Sequence, residues 1–191
     1  APALAAEAAA GGHEVLVHLP MEPDGAVADP GPNALLDGLG IAELQRRLVA
    51  NLDGLTGYDG VNNHMGSGLT RDGPAMAVVM AELAKRGVFF VDSKTSAQTV
   101  AWREAERAGV PWSIRDVFLD DEPGIWAVEV QLQHLEAAAR RGGFAVGIGH
   151  PYPSTLKALD VWLRGLSARG FELVPVARTL RHPSPAVAEA Q

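Results

Sequence analysis

"VFFVDS", residues 88–93, is a run of four apolar side chains closed by an aspartate and a serine. No polar residue alternates with the apolar ones, so a strand formed here has no wet face. A strand covered on both sides belongs to a parallel sheet, sheltered by the helices of its crossover connections. The flanks supply those helices. "AMAVVMAELAKRG", 75–87, repeats its apolar residues at helical spacing, with Thr70 or Asp72 as its cap and Gly87 as its stop. A second helix is expected from Ser96 to Ala108.

The same alternation extends in both directions. Strands are expected at "HEVLVHL" (13–19), "YDGVN" (58–62), within "GVPWSIRDVFLD" (109–120), at "GFAVGIGH" (143–150) and at "FELVPV" (171–176). Between them lie helical stretches in "NALLDGLGIAELQRRLVANL", after "DEPG", and in "PSTLKALDVWLRGLSARG". In "DEPG", Asp121 can cap the helix, with Pro123 early in its first turn. Six strands alternating with helices predict a parallel α/β fold. No Gly-x-Gly-x-x-Gly, Gly-x-Ser-x-Gly or P-loop pattern is present, which removes dinucleotide, serine-elbow and nucleotide-phosphate chemistry.

The polar residues cluster just after these strands: His18, Asn62-Asn63-His64, Asp92-Ser93, Arg115-Asp116 and His150. In parallel α/β architectures the carboxyl ends of strands face ligands, so residues distant in the chain are expected to converge there. This clustering favours a barrel over an open sheet. One domain is expected over residues 1–177, with 178–191 as a tail without periodicity.

Bulk properties bound the function. The chain has 191 residues, 47% of them apolar, enough for one sizeable core. A formal net charge of −7 argues against a nucleic-acid partner. The absence of cysteine excludes disulfides, thiolate nucleophiles and cysteine-ligated zinc. No apolar run approaches the ~18–20 residues of a membrane span. "APALAAEAAAGG", 1–12, reads as the second half of a helix stopped by Gly11 and Gly12, which implies preceding residues in the full protein.

The candidate residues differ in how far they speak for themselves. His18 reads equally as a metal-competent imidazole and as a packed strand-end histidine. Glu22, four residues on and past Pro20, alone reads as a solvated loop residue. Together they form a His-x-x-x-Glu pair on a turn. "NNHMGS", 62–67, carries more: a turn explains its Asn and Gly residues but not His64 as well. His150, flanked by Gly149 and Pro151, has an open backbone that lets an imidazole face a cleft. Asp92 and Asp116 read either as helix-start carboxylates or as site residues, and as such they are the pair a carboxylate-driven glycosidase would use.

With these residues in hand, the chain resembles the divergent polysaccharide deacetylase family. The resemblance is carried in order by "GHEVLVHLPMEP", "GVNNHMGSGLT", "FFVDSKTSAQTVA", "RDVFLD" and "VGIGHPYPSTLKAL", from residue 12 to 159. It implies a distorted parallel (β/α) barrel of the deacetylase type lacking its N-terminal strand here, and export to the periplasm or cell envelope. It also implies a metal-dependent hydrolase that removes N-acetyl groups from an acetylated glycan.

The ordinary family motif, Gly-His-Glu-(Ile/Val)-x-x-His-(Thr/Ser)-x-x-His, aligns His18 with one metal-binding histidine and Glu22 with the next. Glu in place of His keeps a ligand for Zn²⁺ or another divalent ion, with harder oxygen character. His64 has no counterpart in that motif and is the candidate for the missing imidazole. His150 matches the family's general acid, and Asn62 or Asn63 would assist at the oxyanion. The candidate catalytic set is therefore His150, Asn63, Asp92 and Asp116, with His18, Glu22 and His64 as the candidate metal ligands. The family's Asp-Asp pair, one ligand and one base, is expected upstream of Ala1. The rival expectation is a non-catalytic envelope protein that keeps the barrel and binds glycan or a partner.

Overall fold

A computed structural model describes residues 2–25 and 28–182. They form a mixed α/β fold with six helices and a parallel sheet, in two compact units: residues up to Ile114 together with the segment from Leu180, and Arg115–Thr179.

In the first unit four strands run β1 (Leu16–Met21), β2 (Gly60–Met65), β3 (Phe89–Asp92) and β4 (Trp112–Ile114), in that spatial order and all parallel. Each step between neighbours passes through a helix, as parallel pairing requires. α2 (Ile41–Asp53) buries Leu44, Leu48 and Leu52, one side of the helix at four-residue spacing. α3 (Gly73–Arg86) starts where the Asp72 carboxylate accepts from Ala75 N at 3.0 Å, resolving the choice between Thr70 and Asp72. It ends at Gly87, whose φ of +67° is the left-handed cap that glycine adopts without strain. α4 (Ala101–Ala108) closes the layer. All four residues of β3 are buried, as a strand without a wet face demands. At Gly60 a Cβ would lie 2.4 Å from the Phe89 ring, so only glycine lets β2 approach β3 there.

α1 (Pro2–Ala10) is the expected alanine-rich helix and buries none of its residues. In the second unit β5 (Val117–Phe118) pairs in parallel with β6 (Gly147–Ile148) beneath α5 (Ile125–Gly142) and α6 (Pro153–Arg164). Val117, Leu119, Val128, Leu132 and Ala158 are its core.

Several boundaries move. Residues 171–175 are irregular and Val176–Thr179 is a 3-10 turn, so the strand expected at 171–176 does not form. Pro175 removes a ladder donor there, and Leu173 is 68% exposed, so the apolar alternation has nothing to cover it within its unit. "GVPWSIRDVFLD" yields two strands instead of one, broken at Arg115-Asp116. α4 begins at Ala101 and not Ser96, because Thr99 Oγ1 accepts from Ala101 N while Ser96 Oγ takes Gln98 N in a preceding turn. Asp121 does not cap α5; Gly124, at φ +117°, precedes it instead.

Of the expected tail 178–191, the first part is held. Arg181 exchanges both backbone hydrogen bonds with Trp112, at 2.7 and 3.0 Å, and its guanidinium lies 5.2 Å over the Trp112 ring. Residues 183–191 lie outside the described residues. Among the described residues no helix is long and apolar enough to cross a membrane.

Candidate functional site

Parallel register sets the first cluster. His18 pairs with Asn62 and Pro20 with His64, so His18, Asn62 and His64 project to the same face of β1 and β2. Val17, Leu19, Met21, Val61 and Asn63 project to the opposite face and are buried. The His18 ring is exposed and the His64 ring half-buried. Their centroids are 4.8 Å apart at 59°, with His64 Nδ1 3.0 Å from His18 Nε2. The other nitrogen of His18, Nδ1, lies 2.5 Å from Asn62 Oδ1. Asn62 in turn donates to the Val91 carbonyl at 3.3 Å and to the Ser93 hydroxyl.

This geometry fits two positions of a metal site. Two nitrogens on one tetrahedral zinc, at ~2.0–2.1 Å from it, lie about 3.3 Å from each other; the observed 3.0 Å is a hydrogen-bond contact, in which one facing nitrogen carries a proton that an ion would displace. A ligating histidine characteristically turns its second ring nitrogen to a carbonyl or carboxylate, and His18 Nδ1 faces the Asn62 amide oxygen. Beyond the pair, no group of three or more His, Asp or Glu side chains is gathered to hold an ion among the described residues.

Glu22 therefore does not join the two imidazoles into a set of three. The chain explains why. Four residues of extended strand span about 13 Å, whereas a four-residue spacing brings side chains together only on a helix. The Glu22 carboxylate accepts from Asp37 N, and its backbone carbonyl accepts from Gly68 N and Leu69 N at 3.1 and 3.2 Å. Glu22 ties the exit of β1 to two loops.

Asn63 and Asp92 are similarly spent within the scaffold. Asn63 is 1% exposed; its amide donates to the Met65 carbonyl at 2.7 Å and accepts from Ser93 N at 2.8 Å. Asp92 is fully buried, accepting from Lys94 N and from the Thr99 hydroxyl, both at 2.8 Å. Together they fix the turns after β2 and β3. Met65 and Lys94, each one step past a site residue, sit at φ +53° and +49°, a conformation non-glycine residues rarely hold. Gly66 follows at φ +87°, where a Cβ would meet Met21 Cβ at 2.9 Å.

The second unit holds a different constellation. His150 Nδ1 is 3.0 Å from Asp120 Oδ1, while Asp120 Oδ2 accepts from His150 N at 2.6 Å and from the Thr155 hydroxyl at 2.8 Å. The Asp120 side chain is 1% exposed and that of His150 is 43% exposed. Burial alone pushes the Asp120 carboxyl up, but the hydrogen bonds from His150 N, the His150 ring and Thr155 outweigh it and hold it below the ordinary carboxylate value. Phe118 meets the imidazole edge-on at 5.6 Å and Tyr152 lies 5.1 Å away. A carboxylate on Nδ1 leaves Nε2 as the nitrogen that exchanges protons with a ligand.

Asp120 is the residue sequence reasoning misses, and Thr155 with it. Asp116 is not part of this dyad: its carboxylate accepts from Val146 N at 2.8 Å and pins the start of β6. It does line an open cleft of about 470 Å³ with Arg115, Phe118, His134 and Arg141, but neither Asp120 nor His150 lines that cleft. Size here does not mark the chemistry.

Comparison with known proteins agrees with this architecture. The divergent polysaccharide deacetylase family matches residues 1–180. An uncharacterized protein of Haemophilus influenzae is 36% identical over 84% of this chain and 57% of its own length. The uncharacterized protein YibQ of Escherichia coli is 35% identical over 94% of this chain and 56% of its own. The chain thus spans a little over half the length of these relatives. The crystal structure of an uncharacterized protein from Agrobacterium tumefaciens superposes with a TM-score of 0.89 at 32% identity, over 93% of this chain and 73% of that one.

Proposed function

The chain belongs to the divergent polysaccharide deacetylase family, and from that premise we propose that it forms most of a metal-dependent hydrolase that removes N-acetyl groups from a cell-envelope glycan. The barrel architecture and export to the periplasm or envelope are parts of the same reading. The observation that carries it is the imidazole pair, with His18 Nε2 turned to His64 and its Nδ1 committed to Asn62.

A bound divalent ion supplies Lewis acidity and an acidified water at neutral pH. His18 and His64 are the residues of this chain that would hold it, zinc being the ion that suits two imidazoles. The face on which the two rings lie also exposes Asn62 only in part, because its amide is fastened to the sheet, so its role is to orient His18. His150 is the proton donor for a departing amine. Asp120 holds the ring by Nδ1 and leaves the Nε2 proton for transfer.

The full-length protein, incubated with an N-acetylated oligosaccharide, is expected to release acetate in an assay that a chelator stops. Absence of acetate release with zinc present removes the hydrolase reading.

One observation favours a second reading. Glu22 does not complete a three-ligand group, which suits a non-catalytic envelope protein that keeps the fold and binds glycan. That protein would retain oligosaccharide on a column while releasing no acetate. A glycosidase built on Asp92 and Asp116 finds no support, since Asp92 accepts from Lys94 N within its own turn and Asp116 accepts from Val146 N at the start of β6.

A further inference from the structure

An imidazole pair serves as a ligand pair only if the nitrogen that faces the ion carries no proton. We propose that Asn62 is the positioning residue that enforces this, holding His18 as the Nδ1–H tautomer so that the Nε2 lone pair is turned to His64. The proposal rests on the reading of the pair as an ion site.

Each direction in the hydrogen-bond chain is forced by its neighbour. The Ser93 hydroxyl donates to the Asn63 backbone carbonyl at 2.8 Å, which uses its only proton. Towards Asn62 it must therefore accept, and the Asn62 atom facing it is the amide nitrogen. The same nitrogen faces the Val91 carbonyl, which can only accept, at 3.3 Å. Two acceptors thus fix the amide, and its oxygen has to face the His18 ring. An amide oxygen only accepts, so His18 Nδ1 carries the proton and Nε2 does not.

The chain starts at a backbone carbonyl of β2 and at one of β3, so the tautomer is written into the sheet itself. This explains why adjacent asparagines are needed: Asn63 anchors Ser93 through its carbonyl and side chain on the buried face, and Asn62 reads that anchor on the other.

The test uses the full-length protein labelled with ¹⁵N-histidine, its ring nitrogens read by NMR without metal, followed by titration with zinc alone. Native protein is expected to show His18 protonated at Nδ1 and bare at Nε2. Asn62→Leu is expected to lose that preference and to weaken zinc binding about 10–100-fold, the range for removing such an outer partner. Asn62→Ala, which removes the amide without adding bulk, is expected to lose the preference in the same way, so it decides the matter if Asn62→Leu does not fold. A native His18 protonated at Nε2, a tautomer that survives Asn62→Leu, or a lost tautomer with unchanged zinc affinity overturns the proposal. Native protein that takes up no zinc defeats the ion reading instead, while the tautomer measurements still decide the role of Asn62.

Discussion

His18, within β1, and His150, just past β6, are both imidazoles held through Nδ1, one by an amide and the other by a carboxylate. The partner separates their chemistry. A neutral amide oxygen sets the tautomer and adds no net charge, which suits a ring that must stay neutral to bind a cation. A buried carboxylate also sets the tautomer and places a negative charge beside the ring, which suits a proton donor. Two histidines with similar surroundings in the sequence thus take different roles through one side chain each.

The largest effect comes from erasing that contrast. Asp120→Asn gives His150 the kind of partner His18 has. Deacetylation is expected to fall about 10²–10⁴-fold, the range for a positioned acid, with zinc content unchanged. Equal turnover, or loss of zinc, would mean the carboxylate does not distinguish the two rings.

The same carboxylate carries folding stability. Asp120→Ala leaves His150 N and the Thr155 hydroxyl without their acceptor, a loss of about 2–3 kcal/mol by urea denaturation. Because the folded carboxyl sits below its ordinary value of 3.8, its contribution is fully present above that pH and is lost as the pH falls through the lower, folded value. The gap between native and Asp120→Ala should therefore close in acid. A gap that widens there would reverse the sign of this account.

A smaller effect separates scaffold from site. Asp92→Asn disturbs the turn after β3 and is expected to lower stability by ~1–2 kcal/mol while turnover stays within a few-fold. Collapse of turnover in a folded Asp92→Asn protein would return Asp92 to the catalytic set. The smallest is Asp72→Ala, which removes the α3 cap for about 1 kcal/mol and touches neither imidazole, so zinc affinity should not move.

Much of this was legible in the sequence, and the failures have physical causes. The buried run 88–93 announces a parallel sheet, and the glycine and aspartate around α3 mark both its ends. In "GVNNHM" the period of two puts Asn62 and His64 on one face and Val61 and Asn63 on the other. That signal could have exchanged Asn63 for Asn62. Glu22 misleads because four-residue spacing was read across a strand. Asp120 hides in "DDEPG", where adjacent carboxylates before a proline imitate a helix start, and the strand preceding it is only two residues long. Strand 171–176 fails because alternation alone cannot supply a neighbour to pair with.

The claim on which the rest depends is that His18 and His64 share one cation. Calorimetric titration of the full-length protein with zinc tests it most directly. About one ion per chain is expected for native protein, with binding abolished by His18→Ala and weakened at least tenfold by His64→Ala. Zinc uptake of unchanged affinity in both variants would place the ion elsewhere and contradict the account.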